Sequence, residues 1–211
     1  MLERKEHIDE PILGVERVVE YARKHEKTDE LRFRAFLKKM RALGPKGRCL
    51  EAGAGIGTLA CLFAREHPRV EVTAFDVSPD MVKLAREYIR DKGLADRIRY
   101  FRGDVNDGEE MKRLGKFDLV YSSFSLHHWR DPERSIKNLW NTLKDDGILY
   151  IYDLRRVWWL YLLPGNGGFI SSIRASYRPR EIAEILNNVG IKRYRIEASF
   201  PYFIQSIIAW K

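Results

Sequence analysis

Arg48-Cys49-Leu50-Glu51-Ala52-Gly53-Ala54-Gly55-Ile56-Gly57 decides the reading of this 211-residue chain. A short apolar run ends in an acid, three alternating glycines follow, and a helical pattern from Thr58 to Arg65 begins at once. Glycine lets the backbone turn sharply and lets a ligand approach main chain that a Cβ would cover. The helix behind it aims unsatisfied N–H groups at whatever sits above the loop. This is a nucleotide-type pocket at the end of a first strand. A dinucleotide-binding turn reads G-x-G-x-x-G. Here the order is Glu51-x-Gly53-x-Gly55-x-Gly57, with Thr58 and Leu59 where the last glycine of that turn would fall.

Four further runs repeat the arrangement. Val70–Phe75 is β-branched and aromatic and ends in Asp76, nineteen positions beyond Gly57. An acid there is placed to accept from ribose hydroxyls; alternatively it opens the turn before Ser78, a good N-cap, and Pro79 at the first helical position. Arg97–Arg102 leads to Gly103-Asp104-Val105. Phe117–Ser122 leads to Ser123-Phe124-Ser125-Leu126-His127-His128-Trp129, then Asp131-Pro132. Gly147–Tyr152 closes on Asp153. Strands alternating with amphipathic helices predict an α/β, doubly wound sheet. The helix after Pro132 carries Ile136, Leu139, Trp140 and Leu143 on one face. The helix after Pro179 carries Ile182, Ile185, Leu186 and Val189 and stops at Gly190. Ile191–Ser199 and Phe203–Lys211 are too closely linked for a crossover and are expected to pair antiparallel.

The loop resembles the first motif of the class I S-adenosylmethionine-dependent methyltransferases, E/D-x-G-x-G-x-G, and the terminal antiparallel hairpin resembles their fold. The resemblance covers most of the chain and implies a Rossmann-like, seven-stranded, mostly parallel sheet. It implies S-adenosylmethionine as cofactor and S-adenosylhomocysteine as product. It places the cofactor against Glu51, Gly53, Ala54, Gly55 and Gly57 of the loop, and against Asp76, Val77 and Met81 after the second strand. Asp104, Val105, Ser122 and Ser123 complete that expected set. Tyr121–Trp129 is similar to the S-x-x-x-L-H-H segment of small-molecule methyltransferases of the ubiquinone/menaquinone type. In related phosphoethanolamine enzymes the histidine matching His128 lines the active site, which makes His128, then His127, the candidate catalytic bases. The residue matching Phe124 is an acid in those enzymes, a departure here. The alternative for either histidine is a helix cap or a place under Trp129.

The expected organisation is one globular domain: a helical cover over 1–45, a cofactor-binding core over 46–153, an insertion over 154–177, and a closing helix and hairpin over 178–211. Residues 11–26 and 29–43 read as two helices, the second with Leu31, Phe36, Leu37, Met40 and Leu43, either covering the sheet or closing over the cofactor. The insertion, with Trp158, Trp159, Tyr161 and a glycine-rich end at Gly165–Gly168, suits a mobile hydrophobic lid. Its tryptophans would face the substrate, anchor to the core, or join a second subunit in a homodimer. An acceptor with an apolar or aromatic body and an anionic group would suit the aromatics and the flanking Arg155 and Arg156.

Cys49 and Cys61 have neither redox nor zinc spacing and suggest a reducing compartment. No apolar stretch resembling a signal peptide or a membrane span appears, so a cytoplasmic protein is expected. Gln205 is the only glutamine and 32% of residues are charged, a bias that resembles thermophile proteins. The net charge is +8, and Leu154 onward carries nine Lys/Arg against three Asp/Glu. That raises the prior for an anionic partner. Nucleic acid is nevertheless disfavoured, because neither an Asn/Asp-Pro-Pro-aromatic motif nor a Pro-Cys nucleophile is present. The reading is a small-molecule methyltransferase. Its alternatives are an RNA or protein methyltransferase of the same fold, or a non-catalytic protein that binds the cofactor.

Overall fold

The computed structural model describes residues 3–5, 29–165 and 167–211; the helix expected over 11–26 lies outside them. After a helix α1 (Asp29–Leu43), alternation of side chains along each strand builds two cores, one on each face of a single sheet. In β1 (Gly47–Ala52), Cys49 enters one core while Leu50 and Ala52 enter the other. In β4 (Phe117–Ser123), Leu119 and Tyr121 face the first core and Phe117 and Val120 the second. Because both faces are buried, these strands read as continuous apolar runs.

The remaining strands are β2 (Val70–Asp76), β3 (Ile98–Arg102), β5 (Leu143–Leu154), β6 (Tyr194–Ser199) and β7 (Ile204–Trp210). Their spatial order is β3-β2-β1-β4-β5-β7-β6. β1 to β5 run parallel, and β7 lies antiparallel between β5 and β6. The expected seven-stranded sheet with its antiparallel end is what the chain forms. Strand order reverses between β1 and β4, so the crevice beyond their carboxyl ends is the topological switch point, where ligands of open α/β sheets lie.

Helices α2 (Thr58–Glu66), α3 (Pro79–Asp91), α4 (Gly108–Arg113) and α5 (Pro132–Asn141) connect the parallel strands. The sequence caps them as expected: Ser78 Oγ accepts from Met81 N at 3.3 Å, and Asp131 Oδ1 accepts from Arg134 N at 3.0 Å. Between β5 and α8 (Pro179–Asn188) stand two short helices, α6 (Trp158–Tyr161) and α7 (Gly168–Ala175). Gly190, at φ +84°, ends α8 in the left-handed conformation. Among the described residues no helix is long and apolar enough to cross a membrane.

Two sequence expectations are corrected. Leu143 belongs to β5, which starts earlier than Gly147 and pairs Leu143 with Phe117 across a register shift. Leu31 is 73% exposed, because the buried stripe of α1 runs through Phe33, Phe36, Leu37 and Met40. Within the insertion the Arg174 guanidinium donates to the carbonyls of Tyr161, Leu163 and Gly165 at 3.2, 2.7 and 2.8 Å. On the sheet, Phe36 stacks on Tyr150 with ring centroids 4.9 Å apart and meets Tyr121 at 5.6 Å and Tyr152 at 6.0 Å. α1 is therefore bound into the core.

Candidate functional site

The glycine loop leaves β1 at the switch point. Gly53, Gly55 and Gly57 have φ of +68°, +55° and +78°, values that a side chain makes costly. A Cβ on Gly53 would fall 2.1 Å from Ser125 Oγ, so the loop after β4 closes against the loop after β1. A Cβ on Gly55 would meet nothing within 4 Å, so the backbone there is open to approach. From beneath, Tyr100 donates its hydroxyl to the Gly55 carbonyl at 2.5 Å.

Asp76, at the tip of β2, ties this loop to the next. Its carboxylate accepts from Gly55 N at 2.9 Å and from Ser78 N at 3.0 Å. Burial pushes its carboxyl up from the ordinary value, while these main-chain N–H groups, that of Val77 and the His128 charge pull it back. Val77 beside it is exposed, and Met81 is buried in the first turn of α3.

Glu51 sits inside the molecule. It is buried and accepts from the Tyr121 hydroxyl at 3.0 Å. Burial pushes its carboxyl up to about 8; the Tyr121 bond opposes this and the Asp76 charge adds to it. At neutral pH it is largely protonated and supports the base of the loop. Ala54 donates its N–H to the Phe75 carbonyl at 3.0 Å.

Other expected cofactor residues divide. Ser122 is fully buried and its hydroxyl donates to the Ala52 carbonyl at 2.8 Å, which leaves only its backbone at the edge. Ser123, the last residue of β4, is half-buried. Asp104 is exposed after β3 and accepts from Asn106 N at 2.8 Å, whereas Val105 packs into the second core.

Phe124 turns the chain out of β4 at φ +50°, an uncommon conformation for an aromatic residue. Its ring lies 5.3 Å from Tyr152 and 4.3 Å from the Arg32 guanidinium, so it packs between an aromatic ring and a cation. The 3₁₀ turn Leu126–His128 follows. His127 is buried: its main-chain N–H donates to Asp153 Oδ2 at 2.9 Å, and its Nδ1 lies 2.7 Å from Asp153 Oδ1. That partner assigns the proton to Nδ1. His128 is exposed, and its ring centroid lies 3.9 Å from that of His127. Trp129 donates its indole N–H to Ser125 Oγ at 3.0 Å.

Asp153, Tyr100 and Ser125 were missed as site residues. Asp153 alone had a signal in the sequence, an acid at a strand tip like Asp76. The structure thus gathers the glycine loop, Asp76 and the His127–His128 turn at one edge, with Glu51 beneath it. A depression of about 520 Å³ between the first turn of α5 and the length of α8, lined by Arg130, Asp131, Tyr177 and Glu181 among others, does not include the loop. Cys49 and Cys61 are buried thiols, each pushed up to about 12 chiefly by burial.

Comparison with known proteins agrees with this geometry. A family model described as a methyltransferase domain matches residues 50–149. An uncharacterized protein of Synechococcus sp. is 34% identical over 105 residues, which are 50% of this chain but only 25% of that protein. The ubiquinone/menaquinone biosynthesis C-methyltransferase of Citrifermentans bemidjiense is 27% identical over 183 residues, 80% of this chain and 77% of its own. Human N-acetylserotonin methyltransferase, solved in complex with S-adenosylmethionine, shares the fold with a TM-score of 0.72 at 17% identity, over 94% of this chain and 56% of its own. The matched model spans the strands that meet at the switch point, where the glycine loop and Asp76 lie. Residues 50–149 therefore carry a methyltransferase domain, and the relatives and the shared fold support a class I S-adenosylmethionine-dependent methyltransferase.

Proposed function

We propose that this chain moves the methyl group of S-adenosylmethionine to a small-molecule acceptor with an apolar or aromatic body and an anionic group. The observation that carries the reading is the convergence at the switch point of a left-handed glycine loop, the Asp76 carboxylate and the exposed His128. The residues fit the cofactor: backbone at Gly55 is open, and Asp76 is already oriented by main-chain N–H groups. Asp76 would hold the ribose, the Gly53–Gly57 backbone the amino-acid tail, and Asp104 with Val105 the base. When bound, the cofactor supplies an activated methyl on a sulfonium, so the chain's own work is to bind, orient and exclude water.

His128 takes a proton from the accepting atom where that atom carries one. His127 is sealed and acts through position: Asp153 fixes its ring, and its ring supports that of His128. Arg155 and Tyr161 of the insertion, both half-buried, wall the acceptor. The similarity to a ubiquinone/menaquinone biosynthesis C-methyltransferase supports an apolar ring as its body. The two buried thiols fit a cytoplasmic setting. The charged composition and single glutamine fit a thermophilic source, for which a melting temperature above about 60 °C is expected.

The test is transfer of labelled methyl to a panel of acceptors. Label on apolar aromatic anions, lost in His128→Ala while cofactor affinity stays, supports the reading. Label only on small polar cations contradicts it.

A further inference from the structure

Apolar side chains of the insertion point outward where a core insertion would seal them. α6 turns Val157 and Leu160 toward the interior and leaves Trp158 66% and Trp159 43% exposed. Leu162, 63% exposed, Leu163 and Phe169 extend this surface. The β6–β7 turn joins it: the Phe203 ring meets Phe169 at 5.4 Å, and the Phe203 carbonyl accepts from Arg155 N at 2.7 Å. Phe200 in that turn is 79% exposed, and Tyr202 is exposed beside it. Because β7 is antiparallel to β5 and sets Ile204 opposite Leu154, the turn lies at the carboxyl edge of the sheet, as the glycine loop does. The Arg174 hydrogen bonds to three insertion carbonyls hold the surface in shape.

Basic residues outnumber acids along it. From Leu154 to Arg180 the sequence has five arginines and no acid, and none follows Glu197. Glu181 pairs with Arg156, while Arg180 is exposed and Lys5 docks alongside through its N–H to the Arg174 carbonyl at 3.1 Å. Single exposed apolar residues need no explanation, but a grouped set flanked by the Arg174 and Lys5 cations does. Trp and Tyr favour the membrane–water interface, leucines enter the acyl boundary, and basic side chains meet anionic headgroups. A second copy seated here would bring the Arg174 and Lys5 cations of both chains into one interface. Nucleic acid would leave Leu162 and Leu163 without a partner.

We propose that this edge docks on an anionic lipid surface, with Trp158, Trp159, Leu162, Leu163, Phe200 and Tyr202 entering the interface. Docking turns the glycine-loop edge toward the bilayer and does not depend on which acceptor is methylated.

The test is sedimentation of the full chain with vesicles of phosphatidylcholine alone and of phosphatidylcholine with phosphatidylglycerol. Binding to the mixed vesicles that weakens with salt is expected. It should fall about tenfold in Trp158→Ser/Trp159→Ser, with melting temperature and S-adenosylmethionine titration unchanged. Quenching of tryptophan fluorescence by brominated acyl chains gives a second readout on the unaltered protein. Absence of binding and quenching overturns the proposal, as does binding that the double substitution leaves intact. Equal binding to both vesicle types overturns its anionic part. A dimer by light scattering that the substitution dissolves, without vesicle binding, assigns the face to a second copy and also overturns it.

Discussion

The loop after β1 and the insertion after β5 rise from the same edge of the sheet and are built in opposite ways. Around the first, even ionisable groups are drawn in: Glu51 lies under Tyr121, and Asp153 holds His127 inside the fold. Around the second, even tryptophans are left out. A site that must hold one known cofactor in one orientation can be fixed by packing and hydrogen bonds to the core. A surface that meets variable or fluid partners keeps its apolar groups outside and fixes only their backbone, here through Arg174. The contrast separates positions where substitution should cost stability from positions where it should cost only binding.

The largest difference is expected between two aromatic truncations. Phe36→Ala removes a fully buried ring packed on three tyrosines and should cost about 3–5 kcal/mol in denaturant unfolding. Trp158→Ala should stay within about 0.5 kcal/mol, because the ring is mostly exposed. Similar losses for both would erase the distinction.

Glu51 offers a pH test of the sealed side. Its folded carboxyl stands at about 8 against an ordinary 4.5, so the folded state keeps a proton that the unfolded state releases. Its contribution is fully present below about pH 4.5 and is lost as pH rises to about 8, on the order of a few kcal/mol. Glu51→Gln should remove that decline and be the more stable form at pH 8 relative to its own value at pH 5. Parallel pH–stability curves for the two proteins would mean that Glu51 is not held protonated.

Smaller again is a comparison of glycines. Gly53→Ala forces a left-handed alanine whose Cβ falls 2.1 Å from Ser125 Oγ, and should cost about 1–3 kcal/mol and weaken cofactor binding. Gly167→Ala, at φ −62° with open space around its Cβ, should change neither. Equal effects in thermal melts and titrations would show that Ser125 gives way freely.

Local chemistry explains what could be read in advance. The glycine spacing, acids at strand tips, the Ser78-Pro79 and Asp131-Pro132 starts and the Gly190 stop depend on backbone conformation within a few residues. The terminal hairpin followed from a link too short for a crossover. What escaped reading depends on partners distant in sequence. That Asp153 would meet His127, that Ser125 would close on Gly53, and that Ser122 would give its hydroxyl to Ala52 are decided by strand order, which periodicity does not encode. Leu143 was misassigned because a buried strand start and a helix face share the same apolar signal. That Arg174 would bond the insertion carbonyls of Tyr161, Leu163 and Gly165 was not legible, because it lies beyond them in the chain. Composition there pointed to an apolar surface but not to its outward direction.

The central claim is that the glycine loop and Asp76 together hold S-adenosylmethionine. Calorimetric titration of cofactor-stripped protein with S-adenosylmethionine, S-adenosylhomocysteine and NADH, repeated on Asp76→Asn, tests it directly. Binding of the first two on the order of micromolar, absent for NADH and strongly weakened by the substitution at unchanged melting temperature, is the predicted result. Binding of NADH instead, or S-adenosylmethionine binding that Asp76→Asn leaves untouched, would contradict the account.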